Sequence, residues 1–243
     1  GSMRAEDLKP NRLGAAKAAA RAFVEKQPKN VRIGVVSFSN NASVVQAPTL
    51  ERDEVLAAID RLSTQRSTAV GSGILVSLEA IFEQAGSKPA PSSRDPLMLP
   101  EPTPVPTPLP RGSHASAAIV LLSDGQSNAG PRPLDVVKQA ADRGVRIYTV
   151  GMGTPQGIIT SFEGRSVRVR LDEDTLRQIA EETDGSYFRA ENETDLRGIY
   201  EALSSELVLK PEQTEVTALF TGAATLLMLI AGALSLLWFS RLP

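Results

Sequence analysis

IVLLSDGQSN, residues 119–128, is the stretch on which the architecture of the whole chain depends. It opens with four aliphatic residues, and a continuous apolar run bounded by turn formers is typical of a strand buried on both faces of a parallel sheet. Parallel sheets bind ligands just beyond the carboxyl ends of their strands, which is where Asp124 falls. A second interpretation, that Asp124 and Gly125 only form the turn leaving the strand, fits this stretch equally well.

Composition excludes several classes of function. The 243 residues carry a formal net charge of −2 and no run of Lys or Arg interleaved with aromatic residues, so we expect no nucleic-acid partner. The absence of cysteine excludes disulfides, zinc–thiolate sites and cysteine nucleophiles. The single histidine, His114, ends a segment rich in Pro and Ser, which argues against Ser-His-Asp hydrolysis.

Helix and strand patterns alternate along the chain. Apolar spacing and cap residues predict helices in the regions 13–27, 49–62, 73–82, 131–143, 172–184 and 194–203. Apolar runs and turn signals predict strands at 31–39, 43–46, 119–123, 145–150, 158–162, 166–169 and 186–189. This alternation predicts an α/β domain over residues 1–208, with three layers and a doubly wound, mostly parallel sheet.

Two segments depart from this pattern. Residues 87–115 are filled with Pro, Ser and charged residues, and we interpret them as a solvated insertion within the domain. The glycines of residues 151–157 suggest a phosphate-binding loop, but no helix opens there and their spacing is wrong for that motif. We therefore expect a glycine-rich turn at this point.

The C-terminal tail is predicted to cross a membrane. Residues 216–239 carry no charge, and as a helix they span roughly 36 Å, enough for a hydrocarbon core of about 30 Å. Residues 209–215 form the linker before this single span. Arg241 favours a cytoplasmic C-terminus, which would place the α/β domain outside the cytoplasm, although Lys210 before the span argues for the opposite orientation.

Oxygen-bearing side chains are expected to meet at one edge of the sheet. Ser2 precedes the first helix, Thr68 lies in a hydroxyl-rich loop before the third, and Asp124 ends a central strand. Loops that lead from strands into helices share the carboxyl edge of such a sheet. Hydroxyls with one carboxylate suit a hard cation such as Mg²⁺.

These residues resemble those of a von Willebrand factor A (vWA) domain that carries a metal-ion-dependent adhesion site (MIDAS). The chain is most similar to the bacterial membrane-anchored group of BatA-like, aerotolerance-type proteins. The matching segments are Gly1-Ser2-Met3, Pro10-Asn11-Arg12-Leu13, Ser67-Thr68-Ala69 with Gly71, Leu121-Leu122-Ser123-Asp124-Gly125, Gly144-Val145, Tyr148-Thr149-Val150-Gly151 and the closing apolar span.

The resemblance implies a set of metal ligands. In that family an Asp-x-Ser-x-Ser motif, a threonine and a second aspartate hold the ion. Ser2 matches the last serine of the motif, Thr68 matches the threonine and Asp124 matches the second aspartate. The resemblance thus implies Mg²⁺, or Mn²⁺ or Ca²⁺ in its place, as the cofactor.

One part of the family pattern is missing from the sequence. The aspartate and first serine of the motif, with the central strand before them, would lie upstream of Gly1. We therefore expect an N-terminally truncated chain rather than a tag scar at Gly1-Ser2-Met3. The metal is then expected to be lost or weakly held by this chain alone.

The implied function is that of a membrane-anchored binding domain and not of an enzyme. The metal would recruit an acidic side chain from a partner protein, and other vWA membrane proteins are further expected partners. Two alternatives remain open from the residues. One is a Mg²⁺-dependent phosphoryl-transfer enzyme that uses Asp124, and the other is a structural subunit whose metal site is vestigial.

Overall fold

A computed structural model gives the fold of the protein. It describes residues 2–8, 10–65, 67–84, 117–154, 156–162 and 165–190, together with 195, 198–200, 202–203, 228, 231 and 234. The chain forms two compact units, residues 1–210 and 211–243, and the α/β elements all lie in the first.

Helices and strands alternate in the first unit as the sequence predicts. After a short 3₁₀ turn at Ser2–Arg4, the elements are α1 (Arg12–Lys26), β1 (Ile33–Phe38), β2 (Ala42–Thr49), α2 (Arg52–Arg61), α3 (Val70–Gln84), β3 (Ala118–Ser123), α4 (Pro133–Asp142), β4 (Arg146–Met152), β5 (Ile158–Phe162), β6 (Arg165–Val169), α5 (Glu173–Glu182) and β7 (Tyr187–Ala190). Leu203 and Tyr200 are helical, as expected for the last predicted helix.

A parallel sheet forms the centre of the unit. Its strand order is β3-β4-β7, with Val120 opposite Tyr148 and Thr149 opposite Tyr187. β1 and β2 pair antiparallel, as do β5 and β6. The α/β class with a parallel sheet is therefore confirmed.

The expected single sheet is divided, because β1 and β3 do not pair with each other. Within the described ranges, β1 is hydrogen-bonded to β2 and β3 to β4. A cavity of about 660 Å³ is lined by both β1 and β3 and by side chains of α1 and α3. Strands hydrogen-bond only when they lie about 4.8 Å apart, so this gap keeps the two groups of strands separate.

Two apolar cores cover the two faces of the parallel sheet. On one face Ile119, Leu121 and Ile147 pack with buried residues of α3, α4 and α5. On the other, Tyr148 and Val150 pack with residues of α1 and with the helical Leu203. Successive side chains of a strand point to opposite faces, so each strand contributes to both cores and the unit has three layers.

Most predicted helix boundaries agree with the structure. Asn11 and Asp172 cap α1 and α5 with their side chains, and Gly144, with φ +69°, follows α4 in the left-handed conformation. The predicted start of the second helix, at Thr49, is wrong. Helix α2 begins after Glu51, and the Thr49 hydroxyl accepts the Glu51 N–H at 3.1 Å, because Thr49 is still the last residue of β2.

Other predicted segments lie outside the described residues. These are the insertion 87–115, the linker 209–215 and nearly all of the predicted span 216–239. Met228, Ala231 and Leu234 are helical. No helix among the residues that were placed is long and apolar enough to cross a membrane.

Truncation of Ile147 to Ala tests the packing of the parallel sheet. Ile147 is 0% exposed, so the substitution removes packed methyl groups and leaves a cavity. We expect it to reduce the free energy of unfolding by about 2–5 kcal/mol. Val44 on β2 is 43% exposed, and Val44→Ala should change stability by no more than about 0.5 kcal/mol. Urea unfolding followed by circular dichroism compares the two, and equal effects would contradict this assignment of the core.

Candidate metal-binding site

Asp124 lies at the carboxyl end of β3, where it is only 1% exposed. The register of β3 and β4 ends with Ser123 beside Gly151, so Asp124 is the first residue beyond the paired strands. Its carbonyl accepts the Asp172 N–H at 2.8 Å. Gly125 then turns the chain with φ +80°, and a Cβ there would collide with the Asp172 carbonyl. These contacts therefore fix the direction in which the chain leaves β3 at Asp124.

The three predicted site residues line the same cavity. Ser2, Thr68 and Asp124 all border a space of about 270 Å³, whose wall is otherwise formed largely by β1 and α1. Ser2 lies in the 3₁₀ turn before α1, and Thr68 in the loop before α3. The structure thus brings together residues that are far apart in the sequence, and their role as metal ligands stays a prediction.

Backbone hydrogen bonds hold Thr68 against the loop after β3. The Thr68 N–H donates to Asn128 Oδ1 at 2.8 Å, and the Asn128 N–H donates to the Thr68 carbonyl at 2.9 Å. The Ser127 hydroxyl also donates to that carbonyl, at 3.3 Å. Ser67 adopts φ +65°, an uncommon conformation for a residue other than glycine. This reciprocal pairing fixes Thr68 relative to the end of β3.

The Asp124 carboxylate has one satisfied oxygen and one unsatisfied oxygen. Oδ1 accepts the Gln126 N–H at 3.2 Å. Oδ2 is buried and has no hydrogen-bond partner among the described residues, and Arg12 Nη1 lies 3.7 Å from it. Burial raises the pKa of Asp124, while the neighbouring Ser2 hydroxyl, the Arg12 charge and the Gln126 amide lower it without cancelling the effect of burial.

This arrangement fits a hard cation. A buried carboxylate oxygen without a partner borders a cavity that two hydroxyl-bearing residues also line. Oxygen ligands are those that Mg²⁺ and Ca²⁺ prefer. In the described part of the chain no group of three or more His, Cys, Asp or Glu side chains could hold a metal, so the site depends on hydroxyls. Ser2, Thr68 and Asp124 are the residues that would hold the ion.

Two charged residues, Arg12 next to Asp124 and its partner Asp7, were not predicted to belong to the site. Arg12 begins α1 and is 0% exposed, and its guanidinium binds Asp7 through Nε at 2.8 Å and Nη2 at 2.6 Å. Gly153, assigned only to a glycine-rich turn, has φ +116°, and a Cβ there would collide with Arg12 Nη2. No local pattern distinguishes a buried arginine from an exposed one, so these roles follow only from the tertiary contacts.

Comparisons with known sequences identify relatives over most of the chain. A family model described as "von Willebrand factor type A domain" matches residues 1–202. A UPF0353 protein of Mycolicibacterium paratuberculosis (strain ATCC BAA-968 / K-10) is 34% identical over 215 residues, covering 85% of this chain and 57% of the relative. A UPF0353 protein of Mycobacterium sp. (strain KMS) is 29% identical over 253 residues, covering 100% of this chain and 68% of the relative. The chain thus spans only part of the length of these relatives.

Solved structures with the same fold include two from Bacteroides. BatB from Bacteroides thetaiotaomicron is 21% identical with a TM-score of 0.65, covering 86% of this chain and 94% of that one. An aerotolerance-related membrane protein from Bacteroides fragilis NCTC 9343 is 22% identical with a TM-score of 0.62, covering 85% and 92%. Proximal thread matrix protein 1 from the mussel byssus, with a zinc-occupied MIDAS motif, is 15% identical with a TM-score of 0.52, covering 79% and 42%.

Substitution of Gly125 by Ala tests the turn that directs Asp124. Alanine is strained at φ +80°, and its Cβ would push the Asp172 carbonyl away. We expect Gly125→Ala to destabilise the fold by about 1–3 kcal/mol. Among the described residues, nothing lies within 4 Å of a Cβ at the helical Gly198, so Gly198→Ala should stabilise the fold by about 0.5–1 kcal/mol. Thermal unfolding of both variants checks this, and a neutral Gly125→Ala would show that the turn is unconstrained.

Proposed function

This chain belongs to the von Willebrand factor type A domain family, and we propose its function on that basis. Domains of this family generally mediate metal-dependent interactions between proteins. We assign the same role to this chain, as a membrane-anchored interaction module of the MIDAS type and not as an enzyme.

The observation that carries the proposal is that Asp124 Oδ2 is buried and accepts no hydrogen bond from the described residues, with the Arg12 guanidinium 3.7 Å away. A buried carboxylate oxygen normally has a hydrogen-bond partner, and one that lacks it is suited to receive a cation. Ser2 and Thr68 supply neutral hydroxyl oxygens to the same cavity. We therefore propose Ser2, Thr68 and Asp124 as ligands of Mg²⁺, with Mn²⁺ or Ca²⁺ as substitutes.

The charge of this ligand set determines the kind of partner. One carboxylate and two hydroxyls leave a divalent ion with net positive charge and with coordination positions for other oxygens. An acidic side chain of a partner protein supplies both an anion and an oxygen ligand. Partners of this chemistry, including other vWA membrane proteins, are the ones we propose.

We also propose that the chain is anchored in a membrane by residues 216–239. The support is the uncharged composition of this segment and the description of a fold neighbour as a membrane protein. Arg241 after the segment favours a cytoplasmic C-terminus, with the α/β unit on the other side.

Metal binding predicts a thermal shift. A ligand present at ten times its Kd stabilises the fold by about 1.4 kcal/mol, which raises Tm by roughly 3–6 °C for a domain of this size. We expect millimolar Mg²⁺ or Mn²⁺ to produce such a shift in the complete protein, with the Asp-x-Ser-x-Ser motif that the resemblance implies. Asp124→Asn and Thr68→Val should abolish the shift, since each removes a proposed ligand.

Asp60 provides the matched control for these variants. Its carboxylate is 57% exposed and pairs with Arg21 on the protein surface. Asp60→Asn should keep the full metal-dependent shift. A shift that survives Asp124→Asn would place the metal elsewhere, and no shift in any variant would favour the structural subunit with a vestigial site.

The membrane topology is testable because the chain contains no cysteine. Single cysteines introduced as Glu51→Cys in the exposed turn before α2 and as Pro243→Cys at the C-terminus report the two sides of the membrane. In intact cells a membrane-impermeant maleimide should label Glu51→Cys and leave Pro243→Cys unlabelled. The opposite pattern would reverse the orientation, and recovery of the chain in the soluble fraction would contradict the anchor.

A further inference from the structure

Arg12 is a buried cation whose charge is only partly used by its nearest partner. The Nε and Nη2 groups bind both oxygens of Asp7, at 2.8 Å and 2.6 Å, and this fork fixes the plane of the guanidinium. The remaining nitrogen, Nη1, is buried and has no hydrogen-bond partner among the residues the structure describes.

Nη1 faces Asp124 Oδ2, which likewise accepts no hydrogen bond from the described residues. The distance from Nη1 to Asp124 Oδ2 is 3.7 Å, which is too long for a hydrogen bond and short enough for a strong charge interaction. Both side chains are almost fully buried, at 0% and 1% exposure. The attraction between them is therefore only weakly screened by solvent.

The surroundings hold Arg12 at this separation. Asp7 binds two of the three guanidinium nitrogens, Nε and Nη2, and the missing side chain of Gly153 leaves the space that Nη2 fills. Arg12 thus lies next to Asp124 without forming a hydrogen bond to its carboxylate. Oδ2 stays available to another cation while its negative charge is partly balanced.

We infer that Arg12, held by Asp7, is a positioning residue that acts as a permanent counter-cation to Asp124 and sets how tightly the site holds a divalent ion. The inference rests on the proposed metal-binding function. The charge of Arg12 stabilises the Asp124 carboxylate when no metal is present, and it repels a divalent ion at Oδ2. Metal occupancy is thereby kept weak and reversible.

The test compares the Mn²⁺ affinity of the complete protein, with the Asp-x-Ser-x-Ser motif that the resemblance implies, and of its variants, measured by electron paramagnetic resonance or calorimetry. Arg12→Gln removes the charge, and Mn²⁺ should bind about tenfold tighter even if the site is as well screened as water. Arg12→Lys keeps the charge and should stay within about threefold of the wild type. Arg21→Gln, which removes an exposed arginine from the same helix, should have no effect.

Asp7→Asn gives a second prediction of opposite sign. It releases the fork, so Arg12 can close the 3.7 Å gap onto Asp124, and Mn²⁺ affinity should fall several-fold. If Arg12 and Asp7 only stabilised the fold, both Arg12→Gln and Asp7→Asn would weaken Mn²⁺ binding. Circular dichroism verifies folding, and if Arg12→Gln does not fold, Asp7→Asn and Arg12→Lys decide the question.

The outcomes separate this inference from the proposed function. Suppose that the wild type binds Mn²⁺. If Arg12→Gln then binds it no more tightly, or if Asp7→Asn binds it equally or more tightly, the role of Arg12 is overturned and the metal site stands. If neither the wild type nor any variant binds Mn²⁺, both are overturned. Tighter binding in Arg12→Gln with weaker binding in Asp7→Asn establishes the inference.

Discussion

A carboxylate buried at the end of β3 is the constraint around which the site is built. Removing an ionised carboxylate from water is unfavourable by several kcal/mol unless other groups compensate. Asp124 has the Ser2 hydroxyl beside it, accepts one backbone N–H, from Gln126, and lies 3.7 Å from the charged Arg12. These contacts do not fully compensate for burial, as the raised pKa of Asp124 shows. A cation at this carboxylate would complete the compensation.

Glycines make this arrangement sterically feasible. Gly125 lets the chain turn immediately after Asp124 and pass close to the Asp172 carbonyl, and Gly153 leaves room for the guanidinium of Arg12. Both have positive φ, so any other residue would be strained there. The direction of the Asp124 carboxyl and the place of its counter-charge therefore depend on two positions that carry no side chain.

The parallel pairing of β3 with β4 brings the rest of the site together. It sets the edge at which Asp124 emerges, and the reciprocal bonds between Thr68 and Asn128 attach the loop before α3 to that edge. The gap between β1 and β3 opens beside it, and residues of both strands line the cavity at the site as well as the larger one. A ligand at this edge would contact elements from three distant parts of the sequence.

Local patterns in the sequence predict the α/β class, most of the described helices and strands, and the convergence of Ser2, Thr68 and Asp124, which line one cavity in the structure. Apolar periodicity, the Asp172 cap and the position of Asp124 after an aliphatic run are local signals, because helices and strands bury faces with fixed repeats. The predicted helix start at Thr49 is wrong because β2 extends through that residue. The burial of Arg12, its contacts with Asp7 and the separation of β1 from β3 are visible in the folded structure alone. These facts depend on which charges and strand edges meet across long sequence separations, and no local pattern records such contacts.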